Sequence, residues 1–245
     1  MEMIRTVAKA WNIPDIRKKI IFTLVMLLIF RIGSQIPVPG IDRDILAQTF
    51  DSGTGLFALF NLFSGGAFSN FTIFALSITP YITASIILQL LTIAVPSLER
   101  LAKEGTEGRK KIAQYTRYMT VILAIIQAIG VSVGLFRQAL ISTSFFDVAV
   151  IVLVLTAGTA FLMWLGEQIN EYGIGNGISL IIFAGIVSRL PSAVQEIWTK
   201  LQDGSMSIVT LIIFLIFCVL VIVGIIEVQQ GQRRIPVQYA KRVVG

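Results

Sequence analysis

Apolar residues fall in six long runs: Ile20–Ile36, Phe71–Val95, Met119–Leu135, Phe145–Leu165, Ile174–Leu190 and Ile208–Ile226. Each has about the length that carries a helix across a ~30 Å hydrocarbon core. A shorter run, Leu56–Phe63 (LFALFNLF), has eight residues and reaches only about 12 Å as a helix. Asp51, Ser52 and Thr54 offer capping side chains before it, and Gly65-Gly66 stops it. Ahead of the first run, Met3, Val7 and Trp11 recur at helical spacing, with Arg5 and Lys9 off that stripe. This predicts a short helix on the membrane surface, ended by Pro14.

The runs differ in kind. In Ile208–Ile226, 16 of 19 residues are Ile, Val, Leu or Phe, which favours insertion by roughly 5–10 kcal/mol. The second run carries Pro80 with Thr72, Ser77, Thr79, Thr83, Ser85, Gln89 and Thr92. The fifth carries Gly175, Asn176, Gly177, Ser179, Gly185, Ser188 and Arg189. Helices this polar pack inside a bundle or line a cavity. Both also hold isoleucines at i, i+4, i+8: Ile78, Ile82 and Ile86 on one, Ile178, Ile182 and Ile186 on the other. Such a row shares one helix face. It fits plain core or lipid-facing packing, and it also fits a hydrophobic constriction that blocks ions by expelling water.

Composition agrees with a polytopic membrane protein: 55% hydrophobic and 14% charged residues, more apolar side chain than a soluble fold of this size can hide. The net charge is +6, and its placement sets orientation. Fifteen basic residues lie before the first run, between the second and third, and after the sixth; five lie on the opposite face. The basic face is the cytoplasmic one. Leu56–Phe63 then falls on the external side, where an apolar mini-helix must tuck back as a re-entrant element. The first span is read as uncleaved, because no small-residue cleavage site follows Phe30.

Chemistry is narrowed by composition too. There is no His, and the single Cys, Cys218, lies in an apolar run; His-based catalysis and Cys-based metal sites are excluded. Asp147, Glu167 and Glu227 lie at span ends, where carboxylates reach water rather than relay protons. Gly175-Asn176-Gly177 reads as a tight turn. The stretch Glu104–Tyr118, with Arg109, Lys110 and Lys111, reads as a basic loop, explained by topology or by docking of an acidic or RNA-rich partner. The tail holds Arg233, Arg234, Lys241 and Arg242 around alternating Ile235, Val237 and Tyr239, a strand-like period.

Long stretches resemble the SecY family, channel subunits of the bacterial Sec protein translocase. They are FRIGSQIPVPG (Phe30–Gly40), ITPYITASIILQLL (Ile78–Leu91), EGRKKIAQYTRY (Glu107–Tyr118), LTAGTAFLMWLGEQI (Leu155–Ile169), GIGNGISLIIFAGIV (Gly173–Val187) and RRIPVQYAKR (Arg233–Arg242). The resemblance implies an all-α polytopic membrane protein: six transmembrane helices plus a short re-entrant plug helix, half of a ten-helix inverted-repeat channel. It implies a cytoplasmic amphipathic segment at 1–19 and a five-helix half at 20–190 with the plug at about 55–66. An external loop and sixth helix follow at 191–229, and a cytoplasmic docking loop starts at 230–245.

By the same resemblance, Ile78, Ile82, Ile178 and Ile182 match pore-ring positions. Leu56, Phe57, Leu59, Phe60, Leu62 and Phe63 form the plug, and the second and third spans match one wall of a lateral gate. Arg109, Lys110, Lys111, Arg233, Arg234, Lys241 and Arg242 are the docking candidates. The implied function is a protein-conducting channel in the bacterial plasma membrane, multi-pass with both ends of this chain cytoplasmic, without enzymatic activity and without cofactor. It passes unfolded polypeptides across the membrane and releases helices into it. Implied partners are SecE-like and SecG-like small subunits, the SecA ATPase, the ribosome through its RNA, signal peptides, nascent membrane helices and bilayer lipid. A small-solute secondary transporter with broken helices is the alternative. It predicts a charged or ligand-shaped polar cluster near the midplane, which the isoleucine rows oppose. An intramembrane hydrolase lacks a base.

Overall fold

The computed structural model describes residues 13–42, 45–46, 61, 64–142 and 144–232. Eight α-helices run through them: α1 Pro14–Gly33, α2 Thr79–Ala94, α3 Pro96–Lys103, α4 Thr106–Ile129, α5 Phe145–Tyr172, α6 Gly177–Val187, α7 Leu190–Gln202 and α8 Ile208–Gln230. A six-residue π-helix, Gly130–Leu135, continues α4. Four helical stretches are long and apolar enough to cross a membrane: Thr106–Gly134, Phe145–Tyr172, Gly177–Gln202 and Ile208–Gln230. The bent pair α2 and α3 makes a fifth if taken as one span. The first expected span is helical, but Arg17, Lys18, Lys19 and Arg31 leave only the eleven residues Ile20–Phe30 free of charge.

The chain forms two compact units, Met1–Leu190 and Pro191–Gly245. In the first, α4 packs on α2 and α5, and α5 also packs on α1 and α6. The middle of this unit is not helical. Residues 64–78 run through successive turns, and all but Ser69, Asn70 and Ile73 are buried. This corrects the expected second span, Phe71–Val95: the helix begins only at Thr79. Pro80 explains the start, since a first-turn proline needs no N–H partner and brings its own helical φ. Upstream, the chain is tied elsewhere. Val38 N–H donates to Phe71 C=O, and Ile73 N–H to Ile36 C=O, each at 3.0 Å. The extended segment after α1 is held on its other side too, where Ile141 N–H donates to Gly40 C=O at 3.1 Å.

The expected basic loop Glu104–Tyr118 is also corrected. Gly105, with φ +76°, ends the α3 connection, and α4 starts at Thr106, so Arg109–Lys111 ride on helix. Glu107 in the first turn suits the helix dipole and pairs with Lys110 at 2.9 Å. Gly108 permits the tight approach of α3: a Cβ there would sit 1.7 Å from the Leu101 carbonyl oxygen. α2 and α3 meet at 100°, with Pro96 opening α3.

The second unit contains α8 and nearly all of α7. The sequence reading gave 191–207 no structure, yet Leu190–Gln202 is a helix. Val194, Ile197, Trp198 and Leu201 have the i, i+3, i+4, i+7 spacing that signals it. No residue of α8 is buried.

Candidate pore constriction

Four of the six isoleucines in the two rows fall in one cluster; Ile86 is exposed and Ile186 lies outside it. Ile78, Ile82, Ile178 and Ile182 all belong to one apolar cluster with Phe30, Phe74, Leu162, Leu165, Ile169 and Ile181. Ile78 is the residue before α2 rather than part of its face; its carbonyl accepts from the Tyr81 and Ile82 N–H groups, both at 3.1 Å. It is buried, whereas Ile82, Ile178 and Ile182 are half-buried. On α2 the packing row is Pro80, Ala84 and Leu88.

α6 shows how such a row is positioned. Its buried residues are Gly177, Ile181 and Gly185, one face at i, i+4, i+8. The glycines set its seat. A Cβ on Gly177 would lie 2.1 Å from the Gly166 carbonyl oxygen of α5, and a Cβ on Gly65 would lie 2.8 Å from Gly185 Cα. With both ends pressed against backbone, the row one residue along, Ile178 and Ile182, is turned about 100° from the seat and left partly open. Asn176 caps α6, accepting from Ile178 N–H at 3.1 Å and Ser179 N–H at 3.2 Å, while Gly177 N–H donates to Asn170 Oδ1 at 2.7 Å. The expected turn lies just ahead of this helix: the chain bends through 173–175, with Gly175 at φ +75°, and α6 starts at Gly177.

Aromatic rings back the cluster. Phe74 stacks on Phe30 at 6.1 Å and on Phe161 at 6.0 Å between centroids. Polar ties hold its edges. Arg31 Nη1 donates to the Gly65 carbonyl and to Ser188 Oγ, each at 3.2 Å, joining the end of α1 to the buried turns and to the end of α6. Thr23 Oγ1 accepts from Ile174 N–H at 3.0 Å, tying α1 to the start of α6. Arg117 of α4 donates to Glu167 of α5 at 2.8 Å. Tyr81, in the first turn of α2, packs on the isoleucine cluster. The sequence analysis missed Arg31, although a lone Arg in an apolar run marks a residue that needs a partner. The cluster itself carries no charged side chain. A constriction lined this way gives a hydrated ion nothing to exchange its water for.

Arg109, Lys110 and Lys111 are exposed on the first turns of α4. The plug candidates Leu56, Phe57, Leu59, Phe60, Leu62 and Phe63, and the tail candidates Arg233, Arg234, Lys241 and Arg242, lie outside the described residues.

The SecY family model matches residues 72–245. The chain is 51% identical to the protein translocase subunit SecY of Halalkalibacterium halodurans, covering 99% of this chain and 58% of that protein. Against the Bacillus subtilis subunit the identity is 49%, over 98% and 57%. The chain therefore spans somewhat over half the length of these relatives. Its fold matches Sec61 in a canine ribosome–channel complex from the endoplasmic reticulum, with a TM-score of 0.63 and 21% identity, over 91% of this chain and 50% of that one.

Proposed function

Because the chain belongs to the SecY family, we propose that it is the channel-forming part of a protein translocase, the path by which unfolded polypeptides cross the membrane and hydrophobic helices leave sideways into lipid. The observation that carries this reading is the gathering of Ile78, Ile82, Ile178 and Ile182 into one apolar cluster on the two spans richest in polar and helix-interrupting residues. Isoleucine suits a ring of this kind. Its bulk leaves a gap too narrow and apolar for hydrated ions, and it can yield as a peptide passes. In this reading Leu56–Phe63 is a plug below the ring, and α2 with α4 forms one wall of the lateral exit. No catalytic step is assigned; the energy for transport is supplied from outside.

The partners proposed are SecE-like and SecG-like membrane subunits, the SecA motor, the ribosome and signal peptides. Ribosome docking is supported by the canine match, itself part of a ribosome–channel complex. Arg109, Lys110, Lys111 and the basic tail are the proposed contacts. The fifteen-to-five distribution of basic residues supports an orientation with both ends of this chain cytoplasmic, and the bacterial relatives support a plasma membrane location.

The test is ion conductance of reconstituted full-length channels. Ile82→Asn with Ile182→Asn is expected to wet the constriction and raise leak; Ile212→Asn with Ile222→Asn in α8 is expected to affect stability instead. Equal leak from the two pairs would overturn the ring.

A further inference from the structure

Arg117 and Glu167 form an ion pair between helices, 50 positions apart in sequence, with Arg117 Nε 2.8 Å from Glu167 Oε1. By contrast, Lys103–Glu99, Lys110–Glu107 and Lys200–Glu196 are local pairs within one helix. The Glu167 side chain is 25% exposed and the Arg117 side chain 48%, so water screens the pair only in part.

Its surroundings give it a task. The buried face of α4 is Thr116, Thr120, Ala124 and Ala128, continued by Ser132 in the π-helix. Small side chains let helices approach closely, and none of them carries a charge across to α5. Hydrogen bonds do not fix the register either. Thr116 and Thr120 donate to carbonyls of their own helix. Ser132 Oγ, and Thr156 and Thr159 Oγ1 on α5, are buried without a partner. Among the described residues, the polar side-chain contact that joins α4 to α5 is the Arg117–Glu167 pair. Tyr81, at the start of α2, packs on the isoleucine cluster, and α2 in turn packs on α4.

We infer that Arg117 and Glu167 are positioning residues that lock α4 onto α5 and keep the constriction closed, and that release of the pair frees α4 to move together with α2. This rests on the channel reading above. The lock adds a threshold: a passenger must supply enough binding energy to displace α4, so a weak signal sequence fails where a strong one succeeds.

The experiment uses the intact channel complex in membrane vesicles. Arg117→Gln and Glu167→Gln break the pair without adding bulk, and the double exchange Arg117→Glu with Glu167→Arg restores it in reverse. Two quantities are measured: amide hydrogen exchange along 116–128, and export of a precursor with a crippled signal sequence relative to one with an intact signal. Each single change is expected to raise both by about three- to fivefold, the scale of one partly exposed ion pair. The double exchange is expected to return both to within about twofold of wild type. Exchange and export ratio unmoved in both single variants would overturn the lock. So would an equal loss for both precursors, which marks a plain structural brace, or a double exchange that restores neither. Arg117→Lys keeps the charge and serves as the folded control should the uncharged variants fail to assemble; export at the wild-type ratio upholds the lock, and the relaxed ratio overturns it. The channel reading fails separately, if wild type exports neither precursor; the exchange measurement needs no export.

Discussion

α5 and α8 are both long and apolar enough to cross a membrane, yet half of the spanning window of α5 is buried and none of that of α8. The more hydrophobic helix is the less buried one. Hydropathy alone does not draw a helix inward, because hydrocarbon solvates leucine and isoleucine as well as a protein interior does. What recruits a helix inward is small size and polarity. α5 carries Thr156, Gly158, Thr159 and Gly166 on its buried side, and through Gly158 its backbone closes against Ile73. α8 is almost wholly bulky aliphatic and phenyl side chains. Hydropathy thus says which segments enter the membrane, while glycine, threonine and serine say which of them build the machine.

The largest effect expected from this contrast is at glycine. Gly158→Val in α5 would drive a Cβ to 1.9 Å from the Ile73 carbonyl oxygen. It is expected to cost more than about 4 kcal/mol and leave little folded protein by size-exclusion chromatography. Gly224→Val in α8, where nothing lies within 4 Å, is expected to change stability by less than about 0.5 kcal/mol. Similar losses from both would break the comparison. Next comes truncation. Leu162→Ala, at a side chain with 0% exposure, is expected to cost about 3 kcal/mol in thermal unfolding in detergent. Leu220→Ala, 63% exposed, is expected to leave the melting temperature nearly unchanged. The smallest effect is at the caps. Asn176→Ala removes an acceptor for two N–H groups at the start of α6 and is expected to cost about 1 kcal/mol. Ser207→Ala removes an acceptor for one, Val209 N–H, at the start of α8, and about half that cost is expected.

Much of this was legible before any coordinates. The spans of α4, α5, α6 and α8 follow from apolar runs; of the two isoleucine rows, Ile78, Ile82, Ile178 and Ile182 share one apolar cluster, while Ile86 and Ile186 lie outside it. The errors share a cause: local pattern was read where distant partners decide. Phe71–Ile78 is apolar enough for a helix, but its backbone is claimed by Ile36 and Val38, which follow α1. Arg109–Lys111 read as loop because basic clusters and glycines mark loops, whereas Gly105 and Gly108 end one helix and seat the next. Arg31 and the Arg117–Glu167 pair needed contacts across 34 to 157 positions, which no periodicity reveals.

The 100° corner between α2 and α3 has a mechanical consequence. α3 has eight residues, so it stands out from the axis of α2 as a rigid arm about 12 Å long. A twist of α2 by about 10°, too small to alter most of its neighbours, sweeps the tip of that arm through about 2 Å. That tip carries Arg100 and Lys103 and abuts the start of α4 at Gly108. Any rotation of α2 therefore moves Arg100 and Lys103 at the surface. The corner converts a turn of α2 into a displacement of charge beside the first turn of α4.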